Sequence, residues 1–319
     1  MKKISVIVIV GPTASGKTKL GVELAKKLNG EVISADSMQI YQGMNIATAK
    51  PTEEEMDSVK HHLIDFVEPD CNFSVAKYKK LAYEKIDEII SKGKTPIIVG
   101  GPGLYVDCVL NNTVFFDYEE SKIREELEER AEKFGIESLL DELHSIDKET
   151  AERLNINDKK RIIRALEVYY LTGKTISDQN KDSHKDKPKY DFCLIGLNTR
   201  NRQYLYDRIN KRVDIMLESG LLEEANAFFK SCISSTAKQA IGYKELKPFI
   251  DGCCELDLAI ENLKMATRRY AKRQLTWFRR YEFINWIYID DGADLVERCM
   301  EIIAKTEGET FDGEKQEKK

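Results

Sequence analysis

The chain has 319 residues, of which 42% are hydrophobic and 33% are charged. This length and composition are typical of a globular protein with room for two domains, and no apolar run reaches the ~20 residues that span a bilayer. The formal net charge of −5 at pH 7 gives the whole chain no attraction to nucleic acid, although a local basic surface remains compatible with it.

The cysteines argue against two kinds of site. There are seven, scattered and without a Cys-x-x-Cys pair, which disfavours both a disulfide framework and a zinc site. The sequence Met1-Lys2-Lys3 leads directly into the first predicted strand and leaves no room for a secretory signal. We therefore expect a cytoplasmic protein that has no membrane partner.

The first predicted elements form a strand, a loop and a helix. Residues 4–10 are mostly β-branched and apolar, as in a strand buried on both faces. Gly11–Thr18 follows and fits the phosphate-binding pattern of Gly, four residues, Gly-Lys and Ser or Thr. In this setting backbone N–H groups surround an anion at a helix N-terminus. We predict a phosphate or diphosphate site in which Lys17 supplies charge and Thr18 a hydroxyl for Mg²⁺.

Two further predicted strands end near this loop. Glu31–Ala35 is followed by Asp36, and Pro96–Val99 is followed by the turn Gly100–Gly103, whose glycines would let the backbone approach a bound group. Ligands of parallel α/β sheets bind at the carboxyl ends of the strands, so we expect Asp36 to lie beside the phosphate loop. The predicted fold class is α/β, a P-loop NTPase-like parallel sheet flanked by helices.

The middle of the chain has a different character. From about Tyr118 it reads as charged helices, until a strand returns at Phe192–Leu197. We predict an all-helical insertion domain of residues 117–190, placed to grip a nucleic acid, within a core of residues 1–116 and 191–304. The charged tail, residues 305–319, is predicted to be disordered.

The last long predicted helix is basic. Between Asn262 and Tyr281 there is no acidic residue, and aromatic residues are interleaved with the basic ones. Over roughly 30 Å of helix this favours a polyanion partner over an ordinary solvated face, and Arg with aromatic residues suits RNA. The basic residues are Lys264, Arg268, Arg269, Lys272, Arg273, Arg279 and Arg280.

Two chemistries remain open on these residues alone. A P-loop kinase or NTPase would use ATP and should carry an aspartate at the end of a hydrophobic strand to hold magnesium, but the strand before Gly100 ends without one. A transferase would instead use the loop to hold a diphosphate leaving group. Asp36 would then be placed to accept a proton from the acceptor.

The order of motifs resembles the bacterial tRNA dimethylallyltransferase family over about residues 4–288. The motifs that carry the resemblance are Gly11–Thr18, Ile33–Tyr41, Thr48–Pro51, His61–Asp65, Val99–Gly101, Asn157–Glu167, Ala240–Tyr243 and Lys272–Phe278. The resemblance implies transfer of a dimethylallyl group from dimethylallyl diphosphate to N6 of adenosine 37, in the anticodon stem-loop of tRNA, with Mg²⁺ as cofactor. We expect a monomer.

The resemblance also implies roles for individual residues. Asp36 would be the general base, and Thr13 and Arg208 the other catalytic residues, with Thr18 as the metal ligand. The implied diphosphate-binding residues are Gly11, Pro12, Thr13, Ala14, Ser15, Gly16, Lys17, Thr18, Arg208 and Arg202. The implied tRNA-binding residues are Asp36, Ser37, Met38, Gln39, Pro102, Lys160, Arg161, Ile162, Ile163, Arg164, Lys238, Gln239, Ala240, Ile241, Gly242, Tyr243, Arg268, Arg269, Lys272 and Arg273.

Two positions depart from the family pattern. Pro102 stands where members usually have threonine, which removes a hydroxyl and a backbone donor, and Ala47 replaces a common glycine. The rival resemblance is to adenylate isopentenyltransferases, which act on free AMP, ADP or ATP. They are expected to lack an extended basic surface, so the insertion and the basic helix argue against them.

Overall fold

The structure, a computed structural model, describes residues 6–112, 122–183 and 188–316. The chain divides into two compact units, one of Met1–Leu110 with Lys189–Lys319 and one of Asn111–Pro188. Residues 4–5 of the first predicted strand, and residues 117–121 and 184–187 of the predicted insertion, lie outside the described residues. Within the described ranges, no helix has the length and apolar character needed to cross a membrane.

The first unit contains a six-stranded sheet in which all neighbouring strands run parallel. The strands are β1 Val6–Val10, β2 Gly30–Ala35, β3 His61–His62, β4 Thr95–Gly100, β5 Phe192–Asn198 and β6 Asn285–Tyr288, and their order across the sheet is β3-β2-β4-β1-β5-β6. The predicted α/β fold class is confirmed. The sequence does not predict β3, because two residues are too few to show a periodic pattern.

The register of the central strands sets the position of the site. Val10 and Ala35 both pair with Gly100, so β1, β2 and β4 end at one level of the sheet. The segments that leave these three ends are the phosphate loop, Asp36 and the glycine turn. This is the edge at which parallel sheets bind ligands.

The helices follow in chain order. In the first unit these begin with α1 Lys17–Lys27, α2 Glu53–Met56, α3 Val75–Ser91 and α4 Gly103–Leu110. The second unit contains α5 Lys122–Phe134, α6 Ile136–Ile146, α7 Lys148–Arg153, α8 Lys159–Thr172 and α9 Ile176–Ser183. The first unit then resumes with α10 Arg202–Glu218, α11 Leu221–Lys230, a 3-10 turn Ala237–Gln239, α12 Tyr243–Ile250, α13 Leu256–Phe278 and α14 Leu295–Gln316.

Two of the apolar clusters in the first unit position the segments around the site. In one, α1 and α14 pack against the strands, with Leu24 and Cys299 fully buried between them. In the other, α10 to α13 pack around the segment after β2, and Tyr41 and Tyr243 are buried there. The second cluster therefore ties the C-terminal helices to the segment that follows Asp36.

The second unit is all-helical throughout its described part. Its core includes Leu139, Ile162 and Leu166, all essentially without exposure. One carboxylate in this core is neutralised, since buried Glu167 accepts hydrogen bonds from Arg124 and Arg164, each at 2.8 Å. A buried charge is tolerated only when it is paired in this way.

The C-terminal tail differs from the prediction of disorder from residue 305. Helix α14 continues to Gln316. Ile303 packs into the core, and the Thr306 hydroxyl lies 3.7 Å from the Cys193 thiol. The charged composition of the tail does not reveal that the helix packs against the core, because only one face of the helix is apolar.

Candidate active site

The phosphate loop has the strained backbone that a phosphate cradle requires. Ala14 and Gly16 have φ values of 62° and 91°, in the left-handed region. Gly11 passes so close to β5 that an added Cβ would lie 2.8 Å from the Leu197 carbonyl oxygen. These turns place the amides that follow Gly16 at the N-terminus of α1, where the helix dipole favours an anion.

Side chains from three distant helical positions hold the loop in place. The Thr13 amide donates to Gln274 Oε1 at 2.8 Å, and Arg208 Nε donates to the Ala14 carbonyl at 2.8 Å. Arg212 Nη1 lies 3.5 Å from Thr13 Oγ1. Within the loop, Lys17 Nζ donates to the Pro12 carbonyl at 2.7 Å. The loop is thus fixed before any phosphate arrives.

Asp36 follows β2 and is oriented by its own turn. Its Oδ1 accepts from the amides of Met38 at 2.9 Å and Gln39 at 3.4 Å. In the described part of the chain Oδ2 receives no hydrogen bond, so one oxygen of a fixed carboxylate is available to a substrate.

A cavity of about 380 Å³ joins these groups. Its polar end is lined by Thr13, Lys17, Thr18, Asp36 and Arg212. The remainder of its wall is mixed: polar side chains such as Gln239, Lys244 and Arg273 stand beside apolar ones, which include Ile209, Val213, Met216, Leu221, Ile241 and Leu263. A ligand that combines an anionic group with a short hydrocarbon chain fits this lining.

Burial changes the acidity of the charged groups in this cavity. It lowers the pKa of Lys17 to about 7, assisted by the neighbouring charge of Arg212 and opposed by Asp36. Burial raises the pKa of Asp36, although the two amides, Lys17 and Arg212 act in the opposite direction. A lysine that titrates near neutrality and a carboxylate of increased basicity are typical of a functional site.

The two arginines of α10 predicted to bind diphosphate differ in their contact with the phosphate loop. Arg208 bonds to the Ala14 carbonyl of the loop, and Arg202 is exposed at the start of the helix with no described contact to the loop. Arg212, one helical turn beyond Arg208, lines the cavity instead. The Arg208-Arg212 spacing of four residues, which places both on one helix face, was the signal that could have identified Arg212.

Gln274 is a second residue that the sequence analysis did not select. It is 5% exposed, lines the cavity and bonds to the loop. Gly101 and Gly103 make room for α13, because a Cβ on them would overlap the side chains of Gln274 and Trp277. Gly100 and Gly101 also line the cavity, so the expectation that this turn lets the backbone approach a bound group stays a prediction.

The predicted tRNA-binding residues separate into exposed and buried groups. Ser37, Met38 and Gln39 line the cavity beside Asp36, together with Gln239, Ala240, Ile241, Gly242 and Arg273. Lys160, Arg161, Lys238, Gln239, Arg269, Lys272 and Arg273 are exposed. Ile162 and Ile163 lie in the core of the second unit, and the Tyr243 side chain is 1% exposed, so none of these three side chains is available for RNA contact. Pro102 is half-buried and accepts the Tyr105 amide at the start of α4.

Helix α13 has fewer unpaired charges than its sequence suggests. Acidic or polar groups of other elements neutralise part of it: Lys264 pairs with Asp214 at 2.8 Å, and Arg268 donates to Asn210 at 2.7 Å. Arg280 pairs with Asp107 at 3.0 Å. Arg269, Lys272 and Arg273 remain exposed as a cationic strip.

The oxygen ligands around the phosphate loop suit a metal ion that binds together with a phosphate-containing substrate. Across the described residues there is no group of three or more His, Cys, Asp and Glu side chains that could hold an ion by itself. Thr18 offers one hydroxyl beside the phosphate loop. Mg²⁺ commonly takes one or two protein ligands and completes its shell with phosphate oxygens and water, so these residues fit a metal–diphosphate complex.

Comparisons with known proteins agree with this geometry. A family model described as IPP transferase matches residues 39–281. A protein of Thermoanaerobacter sp. (strain X514) named tRNA dimethylallyltransferase is 51% identical over 304 residues, covering 94% of this chain and 96% of that protein. The crystal structure of a full-length tRNA isopentenylpyrophosphate transferase from Bacillus halodurans matches with 44% identity and a TM-score of 0.71, over 100% of both chains. A eukaryotic dimethylallyltransferase described as acting on tRNA matches with 30% identity and a TM-score of 0.80, over 94% of this chain and 78% of that one.

Proposed function

The chain belongs to the IPP transferase family, and we propose that it transfers a dimethylallyl group from dimethylallyl diphosphate to N6 of adenosine 37 in tRNA. The observation that carries this proposal is the single cavity in which the phosphate loop, Asp36 and apolar side chains meet. The products are N6-(dimethylallyl)adenosine and diphosphate. A tRNA substrate implies a cytoplasmic reaction, and one chain lines the whole cavity, so a monomer would suffice.

The polar end of the cavity suits the diphosphate of the donor. Loop amides, Lys17, Thr13 and Arg212 would surround the phosphate oxygens, while Arg208 braces the loop from outside. Preorganised donors of this kind stabilise negative charge as it develops on a leaving group. A Mg²⁺ ion held by Thr18 and the diphosphate would add positive charge there.

The reaction needs a base on the acceptor side. As the N6–C1 bond forms, the C1–O bond breaks and the diphosphate leaves with its electron pair. A proton of N6 then passes to Asp36. Burial raises the pKa of Asp36, which makes it a stronger base, and a positioned base typically contributes about 10²–10⁴-fold to rate.

The RNA acceptor would reach the cavity from its open side. Arg273 both lines the cavity and continues the exposed strip of Arg269 and Lys272, so it connects a cationic surface with the reaction site. Lys238 and Gln239 are exposed beside the same cavity, and Lys160 and Arg161 offer cations on the second unit. Adenine 37 must leave its stack to enter, as in base flipping.

A substrate competition experiment tests the proposal. Protein is incubated with Mg²⁺ and radiolabelled dimethylallyl diphosphate in the presence of total tRNA, AMP or both. We expect label on tRNA alone, at a single adenosine after nuclease digestion. Label on AMP but not on tRNA would instead identify an adenylate isopentenyltransferase. In a parallel incubation that contains ATP, ATP consumption without prenyl transfer would identify a kinase.

A further inference from the structure

One carboxylate outside the predicted site holds a run of backbone amides. Glu224, on α11, accepts the amide of Asn45 at 2.9 Å and that of Ile46 at 2.8 Å through Oε2. Its Oε1 accepts the amide of Ala47 at 2.9 Å and the Tyr243 hydroxyl at 2.9 Å. Successive N–H groups form a concave anion site, which here an internal carboxylate fills.

The segment held by Glu224 forms one wall of the substrate cavity. We call residues 44–50 the wall loop; Ala47, Thr48 and Ala49 line the cavity. Gln39 Nε2 donates to the carbonyls of Thr48 at 3.2 Å and Ala49 at 3.1 Å. Lys50 Nζ donates to the Tyr41 carbonyl at 2.8 Å and pairs with Asp65. Glu224 thus holds the first half of the wall loop, and Gln39 and Lys50 hold the second half.

Tyr243 is joined to the wall loop by its hydrogen bond to Glu224. Its ring stacks on Phe228 at 4.0 Å and is buried, so it presents no surface to a ligand. The preceding Gly242 has φ 118°, and a Cβ there would lie 2.9 Å from the Ala47 Cβ. The Ala240–Tyr243 segment therefore packs against the wall loop. The role of the buried tyrosine is then to support this loop, not to contact RNA.

We infer that Glu224 is a positioning residue. Together with Tyr243 it fixes the wall loop in the position that binding of the incoming adenosine requires. The phosphate loop is held by Gln274, Arg208 and Arg212 and shares no hydrogen bond with Glu224 in the described chain. Loss of Glu224 should therefore weaken use of the RNA while leaving diphosphate binding intact. Only the part of the inference that concerns use of the RNA rests on the proposed function.

The experiment uses the full-length chain with Glu224→Gln, Tyr243→Phe and the matched control Glu223→Gln. Glu223 is the exposed neighbour on the same helix, and within the described residues no hydrogen bond joins it to the wall loop. Glutamine keeps one oxygen and turns its NH₂ group either toward the amides of Asn45 and Ile46 or toward the Ala47 amide and the Tyr243 hydroxyl. Because at least one amide loses its acceptor in either case, we expect the KM for tRNA to rise at least tenfold. The dissociation constant for inorganic diphosphate with Mg²⁺ should stay within twofold. Tyr243→Phe should give a smaller rise in the same KM, and Glu223→Gln no change.

A second measurement does not depend on catalysis. Hydrogen exchange of the Asn45, Ile46 and Ala47 amides should accelerate at least tenfold in Glu224→Gln and stay unchanged in the control. Absence of prenyl transfer in the unmodified protein would refute the proposed function while the exchange test still decides the role of Glu224. Unchanged exchange, or a fall in diphosphate affinity that matches the rise in KM for tRNA, would overturn the positioning role.

Discussion

The two walls of the cavity are built by different means. The phosphate loop, Gly11–Thr18, is a contiguous motif whose turns follow from its own glycines and from the strand and helix beside it. The wall loop carries no such motif, and its run of three amides is held by one side chain far away in the chain, Glu224. A contiguous motif carries its function in the sequence, whereas a surface assembled by remote side chains appears only once the chain has folded.

The largest expected effect follows replacement of Asp36, which lines the same cavity as the phosphate loop and the wall loop. Asp36→Asn keeps an Oδ1 acceptor for the Met38 and Gln39 amides but removes the base. We expect the single-turnover rate with labelled dimethylallyl diphosphate to fall about 10²–10⁴-fold. Binding of tRNA, measured on filters, should change less than about twofold. An equal loss of binding and rate would show that Asp36 shapes the turn and does not act as base.

A smaller effect is expected where the phosphate loop itself depends on a remote residue. Gln274→Ala leaves the Thr13 amide without its acceptor, which typically costs about 1–3 kcal/mol for a buried group. We expect the KM for dimethylallyl diphosphate to rise about tenfold in steady-state assays. Thr276→Ala, on the exposed side of the same helix, is the control. Equal KM values in both variants would mean that the loop holds its conformation without α13.

The protonation of Lys17 should make diphosphate binding depend on pH. The pKa of Lys17 is about 7 in the free protein, and the diphosphate binds the charged form, so affinity is greatest below pH 7. It should fall as pH rises through and above 7, by up to about tenfold per pH unit. Calorimetry at pH 8 should detect proton uptake on binding. Lys17→Arg does not titrate in this range and corrects for ionisation of the ligand itself; identical pH profiles would exclude Lys17 as the source.

The smallest effect concerns the cationic strip of α13. Arg269 is exposed, whereas Lys264 on the same helix is paired with Asp214. Arg269→Ala should weaken tRNA binding about threefold and reduce the salt dependence by roughly one phosphate contact. Lys264→Ala should leave the salt dependence unchanged. A larger loss of tRNA binding in Lys264→Ala than in Arg269→Ala would place the RNA on the side of α13 that faces α10.

The sequence predicts most of the sheet and the contiguous half of the site. Five strands follow from local patterns, the last of them predicted at residues 284–289, and so do the phosphate loop and the place of Asp36. Strand burial and loop geometry are encoded within a few residues. The family is also predicted correctly, because the eight motifs that include the phosphate loop stand in the order typical of that family.

The rest of the site depends on contacts that no local pattern contains. Gln274 meets Thr13 across 261 positions of the chain, and Glu224 meets Ala47 across 177. The motif pattern also cannot separate residues that touch a substrate from those that support them: Ile162 and Ile163 belong to a core, and Arg212 rather than Arg202 faces the cavity.

The bond between Thr13 and Gln274 has a consequence for synthesis of the chain. Its donor leaves the ribosome 261 residues before its acceptor, an interval of about 13–50 s at ~5–20 residues per second. A nascent or truncated chain ending before α13 would carry the whole phosphate motif yet lack the residue that fixes it. By the reasoning given for Gln274→Ala, we expect such a chain to bind the prenyl donor about tenfold more weakly than the complete chain.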